Sequence, residues 1–189
     1  MIDRYIKLRY GSKFKFKCTR QGYCCKGGPN VSLTIFDVVR IAKYLGKHWS
    51  ELIPTYIKVI IADMVPFLSL RGIRDECIFL RHNEDGTVWC EIYPVRPMRC
   101  RLYPLLPSAP GSDVVYLDPK CPGIGSGPER EVPKEAFEKY YQEVREHYKM
   151  IMERVLDRGM EPREALEDAL EEVWERYKEE DLRGLELPP

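Results

Sequence analysis

Apolar residues recur at helical spacing in the first third of the chain. Positions 35, 38, 39, 41, 42 and 45 are apolar and share one face, which predicts a helix from about Thr34 to Leu45. Thr34 is the predicted N-cap because Asp37 follows it at the capping-box position, and Gly46 predicts the helix end. A second helix is expected over residues 50–61.

Two further amphipathic patterns fill the C-terminal third. One helix is predicted from Pro133 to about Leu156 and another begins at Pro162. Each has a single apolar stripe, so the two are expected to form an antiparallel helical hairpin. No cysteine lies in this part. We therefore expect a cysteine-bearing domain over residues 1–128 and a helical hairpin over 129–189 packed on it.

Short alternating runs predict a small amount of β-structure. The basic and aromatic segment 13–17 (KFKFK) has the period of a half-exposed strand, and 114–117 (VVYL) is a second candidate. The runs 77–82 and 87–93 flank Asn, Asp and Gly, which predicts a hairpin that brings Cys77 near Cys90. Irregular segments are predicted at 18–29, 96–107 and 121–128. The expected fold class is α+β: mostly helical, with a small antiparallel β element beside a cysteine-rich site and a C-terminal helical hairpin.

Composition narrows the functional classes. The 189 residues are 44% hydrophobic and 32% charged, with a formal net charge of zero, so no global field attracts nucleic acid. The most apolar stretch, 52–70, is interrupted by charges and prolines and is too broken to cross a bilayer. No apolar run of secretory length follows the N-terminal charges, so a cytoplasmic location is expected.

Seven cysteines change this picture: Cys18, Cys24, Cys25, Cys77, Cys90, Cys100 and Cys121. In a reducing compartment, clustered cysteines are more often metal ligands or redox groups than disulfides. The Glu, Lys and Arg content leans towards a thermophile, where intracellular disulfides do occur, and plain buried thiols are a third alternative. No pair of C-x2-C motifs is present, so the spacing favours a metal site assembled by the fold.

Thiolates suit either Zn²⁺ or an iron–sulfur cluster, including the 4Fe-4S type. We prefer the cluster because the thiols are numerous and dispersed. Three candidate cofactor-binding residues lie near Cys100: Arg96, Arg101 and Tyr103. They could donate hydrogen bonds to the sulfur ligands of the cofactor, or bind an anionic substrate beside it. The alternative for the arginines is pairing with surface carboxylates. No phosphate-binding loop, dinucleotide fingerprint or nucleophile elbow is present.

The order of these motifs is similar to a known family. The chain has Cys24-Cys25, then C-I-F-L from Cys77, C-E-I-Y from Cys90, and R-P-M-R-C-R-L-Y-P over 96–104. This pattern resembles the YkgJ-like cysteine-cluster family of zinc- or iron-chelating domains, often described as iron–sulfur-cluster-containing proteins, over about residues 17–107. The family often begins with C-x2-C-x2-C-C, where this chain has Gln21 at the second position. Cys121 is the candidate replacement. A weaker resemblance extends to flagellin lysine methylases.

The function expected from the sequence is a cytoplasmic metal-binding protein with a cysteine-ligated centre. The resemblance implies metal chelation, and the centre is expected to be an iron–sulfur cluster that is redox-active or part of a modifying enzyme. The alternative is a structural zinc module that binds RNA or a protein partner, with the basic strand 13–17 as its contact face. A disulfide-stabilised domain is the third hypothesis. Whether the protein is an enzyme, and on what substrate, stays open.

Overall fold

The structure, a computed structural model, describes residues 4–27 and 31–177. Of the residues described, 40% are helical and 28% lie in strands, forming five helices and five small antiparallel sheets. The expectation of a mostly helical α+β chain is therefore wrong. The error has a physical cause: short apolar runs do not distinguish a strand from a buried helix by periodicity.

Twelve strands occur within the described ranges. They are β1 (Ile6–Arg9), β2 (Lys13–Phe16), β3 (Ser32–Leu33), β4 (Ile57–Ala62), β5 (Val65–Leu70), β6 (Gly72–Ile73), β7 (Glu76–Cys77), β8 (Leu80–His82), β9 (Val88–Cys90), β10 (Leu105–Pro107), β11 (Val114–Leu117) and β12 (Ile124–Glu131). The sheets have the strand orders β1-β11-β10, β12-β2, β3-β5-β4, β6-β7 and β8-β9. Every pairing is antiparallel.

The helices are α1 (Ile35–Leu45), α2 (Trp49–Thr55), α3 (Met98–Leu102), α4 (Lys134–Met152) and α5 (Pro162–Arg176). A π-helical turn, Glu153–Asp157, continues α4, and single 3-10 turns occur at Tyr23–Cys25 and Tyr93–Val95. Both predicted C-terminal helices are therefore present, and α4 packs against α5. The irregular segment predicted over 96–107 is wrong in part, because it contains α3 and β10.

Helix α1 begins and ends as the sequence predicts. The Thr34 hydroxyl accepts a hydrogen bond from the Asp37 amide at 3.2 Å, and the Asp37 carboxylate accepts from the Thr34 amide at 3.0 Å. Gly46 closes the helix with φ 63°, a left-handed conformation that glycine adopts without strain. The capping box was readable because both of its partners are local in sequence.

Residues 57–62 form strand β4, so the predicted helix over 50–61 is wrong beyond Thr55. The run is rich in β-branched residues, which favour a pleated strand once a partner strand is available. That partner is β5, joined through a two-residue turn in which Asp63 and Met64 have φ values of 47° and 68°. These left-handed residues match the primed turns of tight hairpins.

The loop expected over 121–128 is also wrong from Ile124 onward. Strand β12 begins there and pairs with β2, whose alternating exposure agrees with the predicted half-exposed strand. A Cβ atom on Gly127 would lie 2.4 Å from the Lys17 Cβ, so glycine allows the two backbones to approach. This pairing depends on a distant strand and has no local apolar signal.

The buried apolar residues form two clusters. The larger one joins α1, α5 and the β3-β5-β4 sheet to the β8-β9 hairpin, and includes Cys77. The smaller one packs the first turns of α4, with Phe137 and Tyr141, against β10 and β11. The boundary predicted after residue 128 falls within β12 and stays a prediction; residues 178–189 of the second unit lie outside the described residues.

A buried ionic network connects α1, α4 and α3. The Arg40 side chain is 1% exposed and donates to Asp37 at 2.5 Å and to Glu143 at 2.8 and 2.9 Å. The Asp37 carboxylate also accepts from the Met98 amide at 3.1 Å, where α3 begins. The network therefore fixes the position of the helix that carries Cys100.

No helix in the part of the chain that the structure describes is long and apolar enough to cross a membrane.

Candidate metal centre

Four separate elements carry five of the six cysteines of the first hundred residues, and Cys18 lies outside any element. Cys24 and Cys25 lie in the 3-10 turn, Cys77 in β7, Cys90 in β9 and Cys100 in α3. All seven cysteines of the chain are free thiols. The thiols are thus delivered by different elements, as expected for a site assembled by the fold.

The turn that carries Cys24 and Cys25 is fastened to the β8-β9 hairpin. Gly22 precedes the turn with φ 71°, and a Cβ atom there would lie 2.8 Å from a Val88 methyl group. The Val88 amide donates to the Arg20 carbonyl at 3.0 Å. Because only glycine fits this contact in this conformation, Gly22 sets how closely the turn approaches the strand that leads to Cys90.

Two short pairings place Cys77 and Cys90. Cys77 lies opposite Gly72 in the β6-β7 pair, and Cys90 lies opposite Leu80 in the β8-β9 hairpin. The predicted hairpin around residues 83–86 is present, but Cys77 belongs to the neighbouring pair. The Glu91 amide donates to the Phe79 carbonyl at 3.0 Å, so the chain after Cys90 stays beside the chain after Cys77.

Cys24 and Cys25 form an unequal thiol pair. Their sulfur atoms are 3.7 Å apart. A hydrogen bond from the Cys25 S–H, a backbone amide and the charge of Arg96 together lower the pKa of Cys24 to about 7, against the opposing effect of burial. The same hydrogen bond, with burial, raises the pKa of Cys25. Cys24 is therefore the readiest thiolate of the pair at neutral pH.

The negative charge of Cys24 acts on the other inner thiols. Burial is the main cause that raises the pKa of Cys77, of Cys90 to about 11, and of Cys100 well above its ordinary value. The Cys24 charge raises all three further, and Cys100 also interacts with Cys77 and Cys90. These four thiols form a mutually interacting set, which we call the inner quartet: Cys24, Cys77, Cys90 and Cys100.

Cys18 and Cys121 lie at one side of this set. Burial raises the pKa of Cys121, with smaller contributions from the charges of Cys24 and Cys18. The Tyr103 hydroxyl hydrogen-bonds to Cys121 and to the Asp118 carboxylate, the latter at 3.1 Å. The Cys121 amide donates to the Asp118 carbonyl at 3.3 Å, which holds this cysteine in its turn. Cys121 is therefore linked to the inner quartet through Cys24.

No preformed metal geometry is present among the described residues: they contain no group of three or more His, Cys, Asp or Glu side chains that could hold an ion as placed. The thiols interact electrostatically. The candidate metal ligands are all cysteine sulfur atoms, because each of the three histidines has another role. His147 is buried under α1, His48 caps α2 and His82 pairs with Glu76 at 2.7 Å.

The residues predicted to contact a cofactor have different surroundings. The Arg96 guanidinium lies over the Tyr93 ring at 4.0 Å, and its charge lowers the pKa of both Cys24 and Cys90. Arg101 is buried and donates to the Arg96 and Pro94 carbonyls at 2.8 and 2.7 Å, which fixes the loop that carries Arg96. Tyr103 reaches Cys121. Their role towards a cofactor stays a prediction.

Sequence reasoning missed three residues that surround the thiols. Tyr93 supports Arg96 through its ring, Asp118 accepts from Tyr103, and the charge of Arg81 lowers the pKa of Cys77. Tyr93 was recognisable as part of the C-E-I-Y motif, but its stacking partner was not. Asp118 and Arg81 had no signal in the sequence because their contacts depend on the folded loops.

Comparison with known proteins gives one family and one relative. The model of the family described as "CxxCxxCC: Putative zinc- or iron-chelating domain" matches residues 17–122. An uncharacterized protein of Methanocaldococcus jannaschii is 32% identical over 105 residues, which is 55% of this chain and 53% of the relative. The chain thus spans about half the length of that relative. No solved structure matches.

Proposed function

The chain belongs to this family of zinc- or iron-chelating domains, and from that premise we propose that the inner quartet holds an iron–sulfur cluster. The family match covers all seven cysteines, since it runs from residue 17 to 122. The proposed ligands are Cys24, Cys77, Cys90 and Cys100. Four thiolates are the ordinary ligand set of such clusters.

The observation that carries the proposal is the position of Cys24. Its charge acts on Cys77, Cys90 and Cys100, which come from three different elements. Like charges at such a site repel each other, so fully deprotonated thiols require a cation or cluster to be stable together. Mutual repulsion that raises the thiol pKa values and deprotonation of the thiols on metal binding are therefore two aspects of one arrangement.

Arg96 supports the proposal from outside the quartet. A cluster with four thiolates carries net negative charge, and a fixed guanidinium beside two of the ligands offsets part of it. Arg101 positions Arg96 by holding its backbone carbonyl at 2.8 Å. When bound, an iron–sulfur cluster would supply one-electron redox chemistry; the four cysteines would hold it, and Arg96 would offset part of its negative charge.

Cys25, Cys18 and Cys121 are the remaining thiols. The charges of Cys24, Cys77 and Cys100 also act on Cys25. We assign Cys25 a supporting role because its hydrogen bond lowers the pKa of Cys24 and raises its own. Cys121 interacts with Cys18 and hydrogen-bonds to Tyr103. We propose that the centre serves a redox or modifying reaction in a reducing, cytoplasm-like compartment that keeps these thiols free.

A panel of single Cys→Ser variants tests the ligand assignment. Each variant is reconstituted anaerobically with iron and sulfide, and the visible absorbance per chain is measured beside the iron content. Cys77→Ser, Cys90→Ser and Cys100→Ser should each lose most of the absorbance, while the control Cys18→Ser should keep it. Equal retention in all of these variants would contradict the assignment.

The alternative is a structural zinc site in a module that binds RNA or a protein. It predicts a colourless protein with one stoichiometric zinc ion, and unfolding on treatment with a chelator. Retention of one zinc ion and no sulfide by protein purified without oxygen would favour this alternative.

A further inference from the structure

A second candidate site lies along the sheet that α2 and α5 pack against. A cleft of about 510 Å³ is bordered by α2, by β4 and by the first turns of α5. Its lining includes Trp49, Ile57, Val59 and Arg71. None of the seven cysteines borders it. The proposed metal centre does not account for this cleft.

The cleft lies over a sheet edge. Within residues 4–27 and 31–177, strand β4 pairs with β5 alone, in the sheet order β3-β5-β4. Residues of β4, and none of β5, line the cleft. The Arg71 amide donates to the Tyr56 carbonyl at 2.8 Å. These two residues are opposite each other when the β4–β5 register is continued, so they form a hydrogen-bonded pair. Because hydrogen-bonded pairs alternate along an antiparallel ladder, residues 58, 60 and 62 bond to β5.

The backbone groups of Ile57, Val59 and Ile61 consequently point away from β5, towards the open edge. Two of these residues, Ile57 and Val59, also line the cleft. Edge strands with unpaired amides and carbonyls accept an additional extended segment, whose alternate side chains then enter adjoining pockets. The geometry of this edge therefore favours a strand as the occupant.

Arg71 supplies the uncompensated positive charge of the cleft. Its side chain is half-buried, its Nε atom is fully buried without a hydrogen-bond partner, and no acidic side chain pairs with it among the described residues. The other charges at the cleft compensate each other, since Arg163 donates to Glu167 at 2.9 Å. An unpaired, partly desolvated guanidinium is satisfied best by a carboxylate, which it can bind through two parallel hydrogen bonds.

We propose that this cleft binds an extended acidic peptide segment of a partner protein, which adds to the free edge of β4 and places a carboxylate on Arg71. The apolar lining, Trp49 and Val59 among it, accepts the neighbouring side chains of the segment. Ile61 shares the strand face of Ile57 and Val59 and is 49% exposed, so it extends the contact surface along the strand. The site would serve recognition, and none of the proposed metal ligands lines it.

Panning a random heptapeptide library displayed on phage against the full chain tests the proposal. Enriched peptides should carry Asp or Glu among β-branched residues, and a fluorescein-labelled example should bind in an anisotropy titration. Arg71→Gln should weaken that binding about tenfold, as expected for a charge-assisted pair. The control Arg145→Gln, an exposed cation on α4, should leave it unchanged.

A backbone test separates strand addition from simple charge attraction. Val59→Pro removes an amide that points to the open edge and leaves the bonds to β5 intact, so it should abolish peptide binding. Far-ultraviolet circular dichroism checks that this variant folds; if it does not, methylation of alternate amides in the labelled peptide gives the same comparison, with binding lost in one register only.

Three outcomes would overturn the proposal. One is the absence of any enriched peptide, and another is equal binding to the wild type and Arg71→Gln. The third is binding of inorganic phosphate, seen as a change in tryptophan fluorescence that Arg71→Gln removes, without binding of any acidic peptide. That result would assign a small-anion site instead.

Discussion

The buried side chain of His147 makes the free energy of unfolding depend on pH between pH 6.5 and about 4. The imidazole is 2% exposed on α4, and its Nδ1 accepts a hydrogen bond from the Ile35 amide at 3.3 Å. Burial lowers the pKa of His147 from an ordinary value near 6.5 to about 4, and the nearby Asp37 charge opposes this shift only in part. The ring is therefore neutral in the folded protein, as its acceptor role requires.

The sign follows from the two pKa values. Between pH 6.5 and 4 the unfolded chain binds a proton at this histidine and the folded chain does not, so folding loses stability as the pH falls. Each pH unit in this interval costs about 1.4 kcal/mol, so the whole interval costs about 3 kcal/mol. Above pH 6.5 this residue contributes no pH dependence.

The measurement is a urea-unfolding series followed by tryptophan fluorescence at several pH values, for the wild type and for His147→Gln. Glutamine does not titrate but offers an oxygen to the Ile35 amide. The wild type should lose about 3 kcal/mol more than the variant between pH 6.5 and 4. Parallel curves for the two proteins would refute the reasoning, because some other group would then carry the dependence.

Three further changes have defined outcomes. Arg40→Met should lower the free energy of unfolding by about 3 kcal/mol in urea, because it leaves the Asp37 carboxylate buried without its cation. Arg96→Gln should raise the pKa of Cys24, measured as the pH midpoint of its alkylation by iodoacetamide in the metal-free protein. Gly22→Ala should cost about 1–3 kcal/mol and reduce metal loading after reconstitution, because its φ is positive and its Cβ position is occupied.

Each of these changes has a matched control. Glu143→Gln keeps the Arg40–Asp37 pair and should lower the free energy of unfolding by about 1 kcal/mol. A larger loss than that caused by Arg40→Met would contradict the roles assigned to these residues. Arg99→Gln should leave the alkylation midpoint of Cys24 in place. Gly86 has a φ of 80° with no atom within 4 Å of its Cβ position, so Gly86→Ala should leave metal loading unchanged.

Local signals explain which parts of the fold were predictable. Helix α1 was located because Thr34, Asp37 and Gly46 specify its ends within one short segment. Strand β4 was missed because an apolar run such as 57–62 suits either a helix or a strand until β5 lies beside it. Strand β12 was missed because no local pattern marks it as a strand. Its glycines are explained only by close packing against Lys17, which is distant in the sequence.

The candidate site was predictable in its chemistry and not in its arrangement. The cysteine count and the R-P-M-R-C-R-L-Y-P motif identified the chelating family from the sequence. The separation of an inner quartet from Cys18 and Cys121 depends on how the β6-β7 and β8-β9 pairs lie against the Cys24 turn. Sequence spacing contains no such information, because each of these elements comes from a different part of the chain.

An iron–sulfur cluster on the inner quartet is tested most simply by the metal content of protein purified without oxygen and without a metal-binding tag. Iron, zinc and acid-labile sulfide are measured per chain, beside the ultraviolet–visible spectrum. We expect a brown protein with iron and sulfide, whose colour depends on the inner quartet. A colourless protein without iron or sulfide would rule out the cluster, and seven titratable thiols after denaturation with no zinc either would rule out the metal centre as a whole.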